Sequence, residues 1–357
     1  MKKIIWISNI NPQKTNYGTP SGLPWEIIGE LKKNNQVDLY IMNNATNKIV
    51  LFMNRIGIFF FNCKLNLSLY DVIVVYPNVI ANVIPKKYRN KVISIGPDSS
   101  SLLFSRLLEN SFGVKRFKYC LYEKIFAFLE KKWLGELKKI IVVGREDKKV
   151  IAARGFSMNN VFYFHHPLLH NDLLDLDNYK ITMCNKKRFV FSGDLSNYYV
   201  GDYIDKLIRI LYCKKCFFID ILVVGQKNKW AYYKMKDYDL NVAYMAWIDD
   251  YKDICHPESD IHCIPLKAGA GTKNRVLTAI ANGLEIITTP IGIENILIDD
   301  LSDVYVVKDY NEFADRMIEL HNKKYCLLEI KKRIEKRAEF RRKIDENFRK
   351  DVAELIQ

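Results

Sequence analysis

A loop of two glycines and several small residues is the segment of this sequence most suited to chemistry. The loop, Lys267-Ala-Gly-Ala-Gly-Thr-Lys273, follows the apolar run Asp260–Pro265 and leads into the helical run Lys273–Asn282. Such a turn presents backbone amides at the positive end of a helix dipole, where Lys273 and Arg275 add full charges. We therefore predict a site for a phosphate or diphosphate. Its predicted contacts are Ala268, Gly269, Ala270, Gly271, Thr272, Lys273 and Arg275.

Two widespread phosphate loops do not fit this segment. The Walker pattern requires four residues between its glycines, whereas one residue separates Gly269 from Gly271. The dinucleotide fingerprint requires a third glycine, where this chain has Asn274. A glycine-rich turn before a helix is also often a turn without a ligand. The loop thus predicts a phosphate site outside these two classes, with a plain turn as the alternative.

The elements that would position this loop alternate along the chain as short apolar runs and helical stretches, which is typical of parallel α/β layers. The predicted strands are Lys3–Ser8, Gln36–Met42, Val72–Tyr76, Lys91–Ile95, Lys139–Val143, Asn160–Phe164, Arg188–Ser192, Phe218–Val224, Val242–Met245, Asp260–Pro265, Glu285–Thr289 and Val304–Val307. The predicted helices are Pro24–Lys33, Phe117–Leu137, Tyr203–Leu211, Lys273–Asn282 and Tyr310–His321. A polar linker at Asn171–Lys187 predicts domains at 1–180 and 181–325, followed by a charged helical segment at 326–357.

Charge is distributed unevenly between these predicted domains. Residues 1–180 contain 26 Lys and Arg against 14 Asp and Glu, whereas residues 181–357 contain 29 against 27. A basic half beside a nearly neutral half indicates that the first domain faces a polyanion, with a Lys-rich solvated surface as the alternative. Nucleic acid is not the expected partner, because no recognition-helix, zinc-finger or aromatic RNA-binding pattern accompanies the charge. An anionic membrane surface is the expected polyanion.

Targeting, membrane and metal signals are weak. The start Met1–Ser8 predicts a buried strand and no signal peptide, and the apolar window Ile49–Phe61 is too short and too polar for a membrane span. The eight Cys fit free thiols in a cytoplasmic protein. Cys213 and Cys216 lack a second ligand pair at finger spacing, so we predict no metal site.

The segment around the glycine loop also resembles a known family. The run from Ile264 to Ile296, IPLKAGAGTKNRVLTAIANGLEIITTPIGIENI, is similar to the donor-binding segment of glycosyltransferase family 4, the glycosyl transferases group 1. Upstream, Ala246–Asp250 resembles the segment near the nucleotide base, and Phe191–Leu195 resembles the opening turn of the C-terminal domain. The resemblance implies a GT-B fold, with two Rossmann-like parallel-sheet domains facing across a cleft. It adds Trp247 and Gly193 to the expected donor-binding residues.

The first half matches the same family more loosely. Gly18-Thr-Pro-Ser-Gly22 resembles its first glycine loop, which implies that Gly22 lies at the acceptor side. Gly96-Pro-Asp-Ser-Ser-Ser-Leu102 resembles a segment of sugar transferases from polysaccharide clusters, and Ile140–Asp147 resembles another family run. The expected acceptor-side residue there is Ser99. Asp98 is the candidate catalytic carboxylate, with capping of the following helix as the alternative.

Two departures from the family pattern concern glutamates. The family places a pair of them eight positions apart, where this chain has Ala270 and Thr278. The second glutamate takes the ribose hydroxyls, so Thr278 is expected in the donor site with a weaker contact to the nucleoside. The diphosphate end would then depend on Lys273 and Arg275.

The resemblance implies a retaining glycosyltransferase that takes a UDP- or GDP-linked sugar and needs no metal or other cofactor. Its acceptor would be a glycan or a polyprenyl-diphosphate-linked glycan for O-antigen or capsule. We expect the chain in the cytoplasm, peripheral on the inner face of the membrane. One alternative is a catalytically degenerate GT-B subunit that binds a nucleotide sugar or a partner, since the glutamate at Thr278 is missing. A weaker alternative is a sugar-nucleotide epimerase.

Overall fold

The fold is that of a computed structural model, which describes residues 1–14, 22–42, 65–96, 98–156, 158–168, 172–182, 186–324 and 326–357. These residues form two compact units. The first unit contains residues 1–167, 270–272 and 344–357, and the second contains residues 168–269 and 273–343. The apolar window at 49–61, most of the glycine loop at 18–22, part of the predicted linker and Pro97 lie outside the described residues.

The first unit is built on a six-stranded parallel sheet in the order β2-β1-β3-β4-β5-β6. The strands are β1 Lys3–Ser8, β2 Gln36–Ile41, β3 Val72–Tyr76, β4 Val92–Gly96, β5 Lys139–Val142 and β6 Val161–Tyr163. Its helices are α1 Gly22–Lys32, α2 Ser100–Glu109, α3 Gly113–Leu134 and α4 Arg145–Ala153. Every residue of β3 and β4 is buried, as expected for parallel strands covered on both faces.

The second unit repeats this plan with the sheet order β12-β11-β10-β7-β8-β9. Its strands are β7 Arg188–Phe191, β8 Asp220–Val224, β9 Val242–Met245, β10 Asp260–Ile264, β11 Glu285–Thr288 and β12 Val304–Val306. Its helices are α5 Tyr203–Cys213, α6 Lys229–Asp237, α7 Asn274–Ala281, α8 Pro290–Ile293 and α9 Tyr310–Asn322. The strand order reverses between β7 and β10, which is the doubly wound pattern of Rossmann-like sheets.

All twelve predicted strands are present, with ends that differ by at most two residues from the prediction. The prediction of two Rossmann-like parallel-sheet domains is therefore confirmed. Among the described helices, α4, α6 and α8 were not predicted, and α2 was considered just as the helix that Asp98 would cap. Helix α8 is a single turn of four residues. Helices α4 and α6 are short and rich in Lys, Arg or Tyr, and α4 buries just Asp147 and Ile151, so its apolar period is weak.

The C-terminal segment forms one long helix, α10 Leu327–Leu355. Residues up to 343 belong to the second unit, and the last turns belong to the first unit. There Phe348, Val352 and Leu355 join the core cluster of β1, β3 and α1. The first unit ends at Pro167 and not at the predicted residue 180, and the segment at 326–357 is divided between both units. None of the described helices is long and apolar enough to span a membrane.

Candidate functional site

The candidate donor site lies where the strand order of the second sheet reverses. β7 and β10 are parallel neighbours, so the loops after Phe191 and Ile264 leave the sheet at the same edge. Ligands of open parallel sheets bind beyond the carboxyl ends of the strands at such a reversal. The loop after β7 contains Gly193, and the loop after β10 contains the glycines and cations singled out in the sequence. The fold thus brings the two predicted loops together.

Arg275 is held against the backbone of the loop after β7. Its Nη1 donates a hydrogen bond to the carbonyl oxygen of Ser192. Gly193 has a φ of +81°, and a Cβ placed on it would lie 2.0 Å from Arg275 Nη1. The position therefore requires glycine for two reasons, its left-handed backbone and the close approach of the guanidinium. The result is a fixed positive charge at the edge of the sheet.

Lys273 lies over the glycine loop in a similar way. Gly269 has a φ of +148°, and a Cβ placed on it would lie 2.7 Å from Lys273 Cε. Lys273 is also the N-cap residue of α7, and its side chain makes no capping hydrogen bond. The first turn of α7 contains no acidic residue. The helix therefore begins with two cations and without an acidic residue in its own first turn, which suits an anionic ligand.

Some amides of the glycine loop already have protein partners. In the second unit, the amide of Ala268 donates to the carbonyl oxygen of Tyr199, at 3.3 Å. Ala270, Gly271 and Thr272 are grouped with the first unit, in which the Gly271 amide donates to Asp147 Oδ2 at 2.9 Å and the Thr272 hydroxyl donates to the carbonyl oxygen of Val143. Two of the amides predicted to bind diphosphate, those of Ala268 and Gly271, thus donate to protein acceptors.

Thr278 and Trp247 occupy different places in the second unit. Thr278 is buried in α7, three residues after Arg275, so the two positions are neighbours on the helix surface. Trp247 follows β9, the edge strand two places from β7, and 78% of its surface is exposed. An exposed indole ring at the carboxyl edge of the sheet is available for stacking on a planar group.

The acceptor-side candidates belong to the first unit. Asp98 follows β4 and is half-buried, and Ser99 is the N-cap of α2. The Ser99 hydroxyl accepts a hydrogen bond from the Leu102 amide at 3.3 Å, so Ser99 and not Asp98 performs the capping. Burial, and then the nearby charge of Asp98, raise the pKa of Tyr76. Gly22 is the buried first residue of α1.

Two buried carboxylates beneath Ser99 were missed by sequence reasoning. Glu130 Oε1 accepts hydrogen bonds from the Ser99 hydroxyl at 3.1 Å and from the Ser101 amide at 3.2 Å. Asp147 Oδ1 accepts from the Ser99 amide at 2.6 Å. Burial raises the pKa of Glu130 above its ordinary value, although Ser101 and Arg154 act to lower it. The segment that contains Asp98 is therefore fixed from below by charged groups of α3 and α4.

The histidines near β10 have ordinary structural contacts. His262 is buried, with Nε2 2.7 Å from the carbonyl oxygen of Ile254 and Nδ1 3.2 Å from the Tyr251 hydroxyl. His256 Nδ1 lies 2.8 Å from Asp260 Oδ2. Within the described ranges, no group of three or more His, Cys, Asp or Glu side chains is arranged to hold a metal ion.

Part of the second unit matches a known protein family. Its region from β7 to α9, residues 186–323, matches the model of the glycosyl transferases group 1. This region forms a glycosyl transferases group 1 domain. The expectation of a glycosyltransferase is confirmed at this level, while the narrower family 4 assignment stays a prediction.

Solved glycosyltransferase structures share the fold over nearly the whole chain. HepE of Anabaena in complex with UDP-glucose is 14% identical with a TM-score of 0.58, and covers 100% of this chain and 98% of its own. WaaG, described as a glycosyltransferase involved in lipopolysaccharide biosynthesis, is 10% identical with a TM-score of 0.62 and 99% coverage of both chains. The lipopolysaccharide outer core galactosyltransferase WaaB is 15% identical with a TM-score of 0.58, also with 99% coverage of both. The expected GT-B fold is thereby confirmed, whereas comparison with curated sequences found no match.

Proposed function

We propose that this protein is a group 1 glycosyltransferase that transfers a sugar from a UDP- or GDP-linked donor, with retention of the anomeric configuration. The proposed acceptor is a glycan or polyprenyl-diphosphate-linked glycan of a bacterial surface polysaccharide, such as O-antigen or capsule. HepE binds UDP-glucose, and WaaG and WaaB are described as lipopolysaccharide enzymes, which supports this class of donor and acceptor. The proposed location is peripheral, on the inner face of the cytoplasmic membrane.

The observation that carries the proposal is the pair of cations at the reversal of the second sheet. Arg275 is anchored on Ser192, and Lys273 lies over Gly269, so both charges sit at the start of α7. A diphosphate leaving group gains negative charge as the glycosidic bond breaks. Fixed cations and a helix N-terminus stabilise that charge more in the transition state than in the bound donor, which lowers the barrier.

The proposed step breaks the bond between the anomeric carbon and the diphosphate oxygen, and forms a bond to the acceptor hydroxyl oxygen. The bonding electrons leave with the nucleoside diphosphate. The proton of the acceptor hydroxyl passes to a base, for which the proposed group is the half-buried carboxylate Asp98. Its role as a base is compatible with the structure because Ser99 does the helix capping.

A second candidate function is favoured by one observation, the threonine at position 278. A glutamate there would accept two ribose hydroxyls, whereas a buried threonine hydroxyl is a single group. A protein with this site could bind a nucleotide sugar without turning it over. This alternative predicts donor binding that depends on Lys273, without hydrolysis or transfer.

The two functions are separated by one series of measurements on the full chain. Thermal stability is measured with UDP- and GDP-linked sugars for the wild type, for Lys273→Ala and for the matched control Lys229→Ala, an exposed lysine of α6. We expect at least one donor to raise the melting temperature of the wild type and of the control, but not of Lys273→Ala. Single-turnover hydrolysis of that donor is then followed by chromatography.

The binding, hydrolysis and EDTA results each test a different part of the proposal. Hydrolysis or transfer by the wild type supports the enzyme, and binding alone supports the degenerate subunit. If no sugar nucleotide stabilises the wild type, the proposed donor site is wrong, and both the enzyme and the degenerate subunit are rejected. The proposed cations act in place of a metal ion, so EDTA should leave the rate unchanged; a rate restored by a divalent cation after EDTA would overturn that part.

A further inference from the structure

Helix α3 carries two chemically different faces. The inner face packs on α2, where the ring of Phe104 lies 6.2 Å from that of Tyr119, 5.1 Å from Tyr122 and 5.2 Å from Phe126, measured between centroids. The opposite face, which we call the outer face, presents Val114, Phe117, Leu121 and Phe128 to solvent. Three rings of the inner face thus contact an aromatic side chain of α2, whereas the four apolar side chains of the outer face are exposed.

The outer face is a continuous stripe. Its four apolar residues are spaced by three, four and seven positions, so they project from one side of a helix with 3.6 residues per turn. The exposed fractions are 86% for Val114, 75% for Phe117 and 64% for Phe128. Single exposed apolar residues are normal on protein surfaces, but an aligned row of large ones marks an interaction surface.

Positive charge surrounds this stripe. Lys118, Lys124 and Lys132 project within or beside it, and all are exposed. The exposed basic residues of α3 are Lys115, Arg116, Lys118, Lys124, Lys131 and Lys132. The two acids of the same helix do not oppose them, since Glu130 is buried and Glu123 lies within 3.6 Å of Arg154.

We propose that the outer face of α3 is the surface by which this protein lies on an anionic phospholipid bilayer. The inference rests on the proposed lipid-linked acceptor, because a soluble enzyme must meet that acceptor at the membrane. Phe117, Leu121 and Phe128 enter the boundary between headgroups and acyl chains, while the lysine stems extend to the anionic headgroups. Lipid suits this surface better than a second copy of the chain, because a symmetric contact would bring like charges together.

The test uses the full-length protein and vesicles of phosphatidylcholine with or without phosphatidylglycerol. Co-sedimentation without any nucleotide sugar gives the partition coefficient at low and at high salt. We expect the wild type to bind vesicles that contain phosphatidylglycerol, and to bind pure phosphatidylcholine at least tenfold more weakly, roughly as expected from loss of several charge contacts.

Two double variants probe the outer face. Lys118→Glu with Lys124→Glu should weaken binding by more than about 25-fold, since each lysine near an anionic surface contributes roughly a factor of five. Phe117→Ser with Phe128→Ser should weaken it by on the order of tenfold or more, through lost apolar burial. Because all four side chains are exposed, the melting temperature should stay near that of the wild type.

Matched controls carry comparable changes elsewhere. Lys236→Glu with Lys332→Glu has the same change in net charge, and Tyr233→Ser with Leu328→Ser removes two apolar groups that are exposed in the second unit. Both controls should bind as the wild type does. Equal binding by the outer-face variants and their controls would overturn the proposal.

Two further outcomes also reject the membrane surface. One is the absence of wild-type binding to anionic vesicles. The other is a wild-type dimer, seen by light scattering, that the Phe117→Ser and Phe128→Ser changes dissociate. Hydrolysis of the donor in solution is measured in parallel. A wild type that hydrolyses the donor but does not bind anionic vesicles sinks this inference alone. A wild type that binds the vesicles but not the donor sinks the proposed donor site alone.

Discussion

Helices α2 and α7 begin in the same way but have opposite charge at their N-termini. Each follows a buried parallel strand and a short loop, α2 after β4 and α7 after β10. At α2 the chain supplies its own anions, because Glu130 accepts from the Ser101 amide and Asp147 from the Ser99 amide. At α7 the N-cap is a lysine without a capping bond, and the first turn has no acid.

This difference shows why a helix N-terminus after a strand does not by itself define an anion site. The partial positive charge of α2 is neutralised by buried carboxylates, so α2 is a rigid support for the segment that contains Asp98. The same partial charge at α7 is reinforced by Lys273 and Arg275. Residues at the first terminus donate to buried carboxylates of the protein, whereas α7 carries two cations at its start and is the candidate anion site.

The largest effect is expected at α7. Lys273→Ala or Arg275→Ala should lower kcat/KM for the sugar nucleotide by about 10²–10³-fold each, because a fixed charge beside the leaving group is lost. Steady-state kinetics on the proposed donor measures this, with Lys229→Ala as the control. A loss below about threefold in both variants would mean that α7 is no more an anion site than α2 is.

Asp98 gives the next largest effect. Asp98→Asn should lower kcat by about 10²-fold, as for loss of a general base, and should leave the free energy of unfolding within about 0.5 kcal/mol. Kinetics and urea unfolding of the same preparation measure both quantities, and Asp98→Glu should keep part of the rate because it keeps a carboxylate. If Asp98→Asn lowers the free energy of unfolding but not kcat, Asp98 has a structural role and is not the base.

The prediction for Ser99 concerns the stability of α2. Ser99→Ala removes the acceptor of the Leu102 amide and should lower the free energy of unfolding by about 1 kcal/mol. Ser105→Ala, within the same helix, is the control for loss of a hydroxyl outside the cap. Urea unfolding followed by circular dichroism distinguishes them, and equal values for the two variants would show that α2 does not depend on its cap.

The smallest effect is a pH dependence from Glu130. Burial raises its folded pKa above the ordinary value of 4.5, so the folded state binds this proton more tightly than the unfolded chain does. Its stabilisation is therefore complete below about pH 4.5 and is lost as the pH rises through the folded pKa.

Glu130→Gln resembles the protonated form, so its stability relative to the wild type should increase between pH 4.5 and pH 7. Urea unfolding at several pH values measures this, and Glu109→Gln at the exposed end of α2 should show no such trend. A variant that loses stability relative to the wild type over the same range would contradict the raised pKa, because it would show that ionised Glu130 stabilises the folded state.

The sheet elements were predictable because their signal is local. Parallel strands buried on both faces are short β-branched runs, and β3 and β10 are buried at every position. The loop after β10 was also predictable, because Gly269, Gly271 and Lys273 lie within five residues of one another in the sequence. Its pairing with Gly193 came from the family resemblance, and the strand reversal between β7 and β10 gives the physical reason for it.

What the sequence did not reveal depends on contacts between distant segments. Glu130 occupies a polar position of an amphipathic helix, and its burial against Ser99 and Ser101 follows from the packing of α2 on α3. The exposed outer face of α3 was not predicted from the sequence, for a related reason. Its apolar residues alternate with the apolar residues of the inner face, so hydrophobic periodicity alone cannot say which face is covered.

The last turns of α10 have a consequence for the order of folding during synthesis. Phe348, Val352 and Leu355 complete the core around β1, β3 and α1, and Lys139 Nζ donates to the carbonyl oxygen of Glu354 at 2.8 Å. A ribosome that has translated the whole of the first sheet therefore holds a nascent chain whose core still lacks these side chains. The second sheet, made later, has all its strands before α10 is translated. The N-terminal unit should thus acquire protease resistance only after residues 344–357 have left the ribosome.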